Sequence, residues 1–173
     1  MLESRNAKLE NRDANPVDFL QEEIVLPFYL VNNCNFEELK LCVIPVILEG
    51  IKTKQVFDLL VDTGSEITVL NENVANIIGV EMNEGSIGTQ GISGTSKLRR
   101  GRVKNIEIVQ RKEVEGKEVE GRISLGYSNV IVGKLLGKFA DYSILGILGA
   151  ETIQEICLKI DYPRKYLELS QVL

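Results

Sequence analysis

Phe57–Leu70, reading Phe-Asp-Leu-Leu-Val-Asp-Thr-Gly-Ser-Glu-Ile-Thr-Val-Leu, is the stretch that decides the fold. An apolar, β-prone run (Val56, Phe57, Leu59, Leu60, Val61) halts at Asp62-Thr63-Gly64-Ser65, and a second run (Ile67, Val69, Leu70) begins at once. A carboxylate is thus set between two strands that belong in a core. Burying a charge is costly unless it is paired, hydrogen-bonded or protonated. Gly64 permits a backbone turn that a side chain would block. Thr63 and Ser65 bring hydroxyls able to hold the carboxylate. Taken alone, the four residues fit equally a tight strand-to-strand turn with a solvated aspartate.

Upstream, Leu41–Leu48 reads as a strand with an internal Pro45, and Gly50 with Lys52-Thr53-Lys54 reads as a turn into Gln55–Val61. Two apolar runs joined by a short polar turn form a hairpin. Earlier still, Ile24–Val31 is a compact apolar run. Pro27 within it argues for an edge strand, because proline cannot donate to a ladder. Met1–Pro16 is polar and charged, and it lacks the apolar centre of a signal peptide.

Downstream, Asn71 is placed to cap a short helix with Val74, Ile77 and Ile78 on one face, and Gly79 suits its left-handed closing position. Gly85–Gly101 is rich in glycine and poor in aliphatic weight, which predicts a long projecting hairpin. Arg102–Val109 then alternates and re-enters the sheet. Lys112–Gly116 and Lys117–Gly121 repeat Lys-Glu-Val-Glu-Gly, and the charge density predicts an exposed hairpin tip. Ile123–Val132 follows as a strand interrupted at Gly126. Ser143–Leu148 is a core strand ending at Gly149, Ala150–Ile156 makes two helical turns, and Cys157–Tyr162 and Tyr166–Leu169 close the chain as a hairpin. About eight to ten short strands and two short helices predict an all-β domain, closed or nearly so.

Composition narrows the chemistry. The 173 residues contain no His, which removes Ser-His and Cys-His nucleophile schemes and the commonest metal ligand. Net charge is −5, against a nucleic-acid binder, which presents a basic face. Cys34, Cys42 and Cys157 form no zinc spacing, and their odd count favours reduced thiols in an intracellular, cytoplasmic setting. No run reaches the length of a membrane-spanning helix.

Three features now stand in a telling order: the Asp62–Ser65 loop, the glycine-rich hairpin whose tip reads Gly91-Ile92-Ser93-Gly94-Thr95, and the strand end Ile147-Leu148-Gly149 followed by a short helix. Together, over about Leu41–Leu169, they resemble the retropepsin-like aspartic proteases, single-lobed chains that work in pairs. The resemblance implies an all-β, retropepsin-like closed β-barrel with two short helices, spanning residues 41–173. Residues 1–40 would be an N-terminal extension, a pro-segment or dimer arm. Ile24–Val31 would then pair across the dimer or lie in the cleft.

The resemblance further implies a homodimer that hydrolyses peptide bonds without metal or cofactor. Water would be activated between two Asp62 carboxylates, one per chain. Thr63 would lock the two loops together, Gly64 would let the backbone approach the dyad, and Ser65 would hydrogen-bond the outer oxygen of Asp62 and favour its ionised form. Gly91, Ile92, Ser93 and Gly94 would form a flap over the peptide, and Ile147, Leu148 and Gly149 would support the loop from beneath. Glu66 departs from the pattern and is expected to point outward. Lys97, Arg99, Arg100, Arg102 and Lys104 read either as a solvent face or as an attractor for acidic substrates. The alternatives are a catalytically silent relative serving as a dimerisation or peptide-binding module, and a β-barrel adaptor in which Asp62 is a turn residue.

Overall fold

The computed structural model describes residues 23–32, 38–91, 94–114, 117–135 and 144–171. In chain order the elements are β1 (Glu23–Pro27), β2 (Tyr29–Asn32), β3 (Glu38–Glu49), β4 (Lys54–Val61), β5 (Thr68–Asn71), α1 (Glu72–Ile78), β6 (Glu81–Gly91), β7 (Gly94–Val114), β8 (Lys117–Gly133), β9 (Gly146–Leu148), α2 (Ala150–Ile153), β10 (Ile156–Asp161) and β11 (Tyr166–Gln171). Strands dominate, and the class is all-β. No helix among the described residues is long and apolar enough to cross a membrane.

The strands form two sheets. Eight lie in the order β2-β3-β4-β9-β5-β8-β7-β6, and an additional β3–β7 pairing bends this sheet back on itself. The other three lie in the order β1-β11-β10. Pro45 sits in β3 opposite Asp58. It falls between Val43, where β2 pairs, and Ile47, where β7 joins, so its missing N–H breaks no ladder bond. Pro27 ends β1, an outer strand of its sheet, as expected of an edge.

β1 pairs with β11 of the same chain, Ile24 opposite Leu169 and Leu26 opposite Leu167. Ile24, Leu26 and Phe28 are buried in the main core. The Phe28 ring meets Tyr162 edge to face at 5.6 Å. The Ile24–Val31 run thus belongs, within this chain, to the chain's own sheets.

The burial of β4 explains the continuous apolar run Leu59-Leu60-Val61. Leu59 and Val61 face the main core, whereas Leu60 packs on the other face with Val43, Leu135, Ile144 and Ile147. Both faces of the strand are covered, so strict alternation is lost.

α1 starts at Asn71, whose side-chain oxygen accepts from the Asn73 N–H (2.9 Å), and ends at Gly79 with φ 73°. Its buried residues are Val74, Ala75 and Ile78. Ile77, expected inward, is 47% exposed: the helix is only seven residues long, and its inner face runs through Ala75 instead. The β3–β4 turn closes over the helix end, with Ile51 N–H donating to Gly79 O and Lys52 N–H to Ile78 O (both 2.9 Å). This satisfies carbonyls that a helix terminus leaves unpaired.

Two other expectations change. The first arm of the glycine-rich hairpin lies in β6, and its second arm continues without a break through the alternating segment as one 21-residue strand, β7. The helix after Gly149 is a single turn; Ile156 already pairs with Gln171 as the first residue of β10. Cross-strand pairing outweighs helix propensity there.

β7, β8 and β4 are tied by a buried carboxylate. Glu107 accepts from Lys54 Nζ (2.6 Å), Arg122 Nη1 (2.7 Å) and Asn105 Nδ2 (2.8 Å). Every buried side-chain polar atom among the described residues has a hydrogen-bond partner.

Candidate active site

β9 is inserted between two strands that are neighbours in sequence. It runs parallel to β4 (Leu60 opposite Ile147, Val61 opposite Leu148) and antiparallel to β5 (Val69 opposite Ile147, Leu70 opposite Gly146). The segment 62–67 must therefore cross the end of β9. Asp62 N–H donates to Leu148 O (3.1 Å), extending the parallel ladder by one residue.

The loop is a tight turn, with Ser65 N–H donating to Asp62 O (3.1 Å). Gly64 N–H donates to Asp62 Oδ1 (2.9 Å), so the main chain itself orients the carboxylate. A Cβ on Gly64 would lie 3.2 Å from that same oxygen, which is why the position suits glycine. Asp62 is half-buried, and Thr63, Gly64 and Glu66 are exposed. Leu60, Ile147 and Val69 lie in register across β4, β9 and β5 and share the smaller apolar cluster. Asp62 follows Leu60 by two residues, so alternation turns it toward this same face.

Ser65 departs from expectation. Its hydroxyl donates to the Ile67 carbonyl (2.9 Å), and a hydroxyl has a single proton to give. The bond to the carboxylate comes from Gly64 N–H instead.

Beneath the loop, α2 docks through its first N–H groups. Ala150 N–H donates to Ser65 O (2.7 Å) and Glu151 N–H to Glu66 O (2.9 Å). Gly149 makes this approach feasible: an added Cβ would lie 2.5 Å from Ile67 C and 2.6 Å from Ile67 O. Ile147 and Leu148 are buried beside it.

Three residues here were not singled out from the sequence. Thr68 Oγ1 accepts from Gly149 N–H (3.0 Å) and is hydrogen-bonded to Thr152 Oγ1 (2.7 Å), which is also bonded to Ser128 Oγ (2.9 Å). All three are buried and lock β5, α2 and β8 together under the loop. The one available signal was a threonine at position 68 inside an apolar strand, since a buried hydroxyl needs a partner.

Gly91 and Gly94 face each other where β6 meets β7, so the glycine-rich segment does form a hairpin. Ile92 and Ser93 lie outside the described residues. Arg99, Arg100, Arg102 and Lys104 are exposed along β7. The Arg102 guanidinium lies 5.5 Å from the centre of the Tyr127 ring.

An Asp-Thr-Gly-Ser loop crossing the end of a strand held between its own flanking strands defines an aspartic-protease-type fold. The model of the gag-polyprotein putative aspartyl protease family matches residues 49–137, more than half of the chain, and the chain belongs to that family. Several solved structures are similar to it, among them these two. One is a retropepsin-like aspartic protease from Rickettsia conorii, 16% identical, covering 88% of this chain and 95% of that chain with a TM-score of 0.45. The other is the retroviral protease-like domain of Ddi1 from Leishmania major, 15% identical, covering 71% and 82% with a TM-score of 0.38. No curated protein matches the sequence.

Proposed function

We propose that the chain is one half of a homodimeric aspartic endopeptidase. The observation that carries this reading is the Asp62 carboxylate, oriented by Gly64 N–H and left partly open to solvent on an exposed loop. One chain supplies one such group. Across a two-fold axis, two Asp62 side chains would lie about 3 Å apart, and like charges that close do not both ionise. The pair holds one proton. Its charged member takes a proton from a bound water, and its protonated member donates to the scissile carbonyl. The exposed Thr63 and Gly64 are the residues that would meet their copies at the axis.

Leu60 and Ile147 are covered by the chain's own core and support the loop, while half-buried Val69 lies nearer the surface. A peptide with apolar side chains at the scissile bond is what the resemblance to retropepsin-like proteases implies. The β6–β7 hairpin would act as the flap, folding over the peptide and excluding water. Digestion of a peptide library at several pH values tests the proposal. Cleavage that falls by about 10²–10⁴-fold in Asp62→Asn supports it. Equal cleavage by the variant rejects it, because turnover would then not depend on Asp62, and no cleavage by the native protein rejects it in favour of a silent binding module.

A further inference from the structure

A cavity of about 340 Å³ lies against Ile67, at the end of the carboxylate loop, and is also lined by Glu151, Asn83, Asn129, Arg100 and Arg102. Its size is at the lower end for ligand pockets, enough for one peptide side chain with its water. Arg100 and Arg102 alternate along β7 and pair with Ile131 and Asn129 of β8. Alternate residues share a face of a sheet, so both arginines serve the same cavity.

The charges decide what such a cavity takes. Two guanidinium groups and one carboxylate leave a local excess of one positive charge, although the chain as a whole is at −5. At physiological salt, charges beyond about 8 Å are screened, so the local pair outweighs the distant net charge. The Asn83 and Asn129 amides add neutral donors. Planar guanidinium groups match carboxylates by paired hydrogen bonds.

We propose that this cavity binds an acidic side chain of the peptide substrate, making Arg100 and Arg102 specificity residues. The inference rests on the peptidase reading given above. Asp62 and Ile67 are joined by five residue steps, at most about 17 Å of chain. An extended peptide advances about 3.3 Å per residue, so the acidic residue falls within about five positions of the scissile bond. Glu151 opposes the effect and tunes it.

The test separates recognition from turnover. Full-length Asp62→Asn protein is titrated with fluorescent peptides carrying an apolar pair, with Glu or Gln placed in turn at each of the flanking positions. Binding is read by anisotropy. At one position the Glu peptide is expected to bind about three- to tenfold more tightly than its Gln counterpart, the range set by exposed charge-assisted bonds. The preference should weaken with added salt, shrink in Arg100→Gln, fall to parity in Arg100→Gln/Arg102→Gln, and grow in Glu151→Gln. Tight but equal binding of both peptides at every position overturns this inference alone, as does a preference that survives the double substitution. Binding of neither peptide overturns the peptidase reading with it.

Discussion

Gly149→Ala isolates the contact on which the site is built. Gly149 has φ −91° and ψ 167°, which alanine adopts freely, so any cost is steric rather than torsional. The new Cβ would lie 2.5 Å from Ile67 C, 2.6 Å from Ile67 O and 2.8 Å from Thr68 N. All three are backbone atoms, with no flexible side chain to swing aside. Ordinary contact requires β5 and α2 to separate by roughly 1 Å. That separation stretches the bonds from Gly149 N–H to Thr68, Ala150 N–H to Ser65 and Glu151 N–H to Glu66, now 3.0, 2.7 and 2.9 Å, beyond useful range.

At about 1 kcal/mol each these bonds contribute roughly 3 kcal/mol. Overpacking adds about 1–3 kcal/mol. The expected loss is therefore about 4–6 kcal/mol, a large part of a domain's stability. It corresponds to a fall in Tm of about 10–20 °C for a chain of this size. Far-UV circular dichroism during thermal and urea unfolding measures it. Gly126→Ala is the control: Gly126 has φ 68° and nothing within 4 Å of an added Cβ, so only torsional strain of about 1–2 kcal/mol is expected. Equal losses in the two variants, or a Gly149→Ala loss below about 1 kcal/mol, would refute the close-approach argument.

Ser65→Ala should lower stability by about 1 kcal/mol through the lost bond to Ile67 O, while the acid limb of the pH–rate profile stays in place. An upward shift of that limb would mean that the hydroxyl reaches Asp62 in the assembled enzyme. Burial pushes the Cys42 thiol up to about 12, whereas Cys157 is exposed. Thiol reagents act on the thiolate, so alkylation of the native protein at mildly alkaline pH should label Cys157 and spare Cys42, as read by peptide mapping. Early labelling of Cys42 would contradict its burial. Because the native thiol keeps a proton that the unfolded chain releases above about pH 8.5, Cys42 should erode stability as pH rises from there toward 12, and should be without effect below.

The parts legible in sequence were those governed by local rules. Asn71 and Gly79 bracket α1 because capping and left-handed closure are properties of a few adjacent residues. The Asp62 loop stood out because a turn-former and a carboxylate separate Leu59-Leu60-Val61 from Ile67–Leu70, two stretches that are mostly core. What escaped depends on partners distant in the chain. Thr152 bonds Thr68, 84 positions away, and the buried Glu107 reads as one more charge in an alternating strand until Lys54 and Arg122 are brought to it. Ser65 was misread for a related reason. Its hydroxyl has two acceptors within reach of one loop, and only the turn geometry chooses between Asp62 and Ile67.

Catalysis by paired subunits is tested most directly by mixing. Native and Asp62→Asn chains are unfolded together, refolded at fixed total concentration, and assayed for peptide cleavage. If each active centre needs a native aspartate from both chains, activity follows the square of the native fraction, and an equal mixture retains about a quarter of full activity. Activity that falls in simple proportion, leaving about half in that mixture, would mean that a single chain acts alone and would contradict the account.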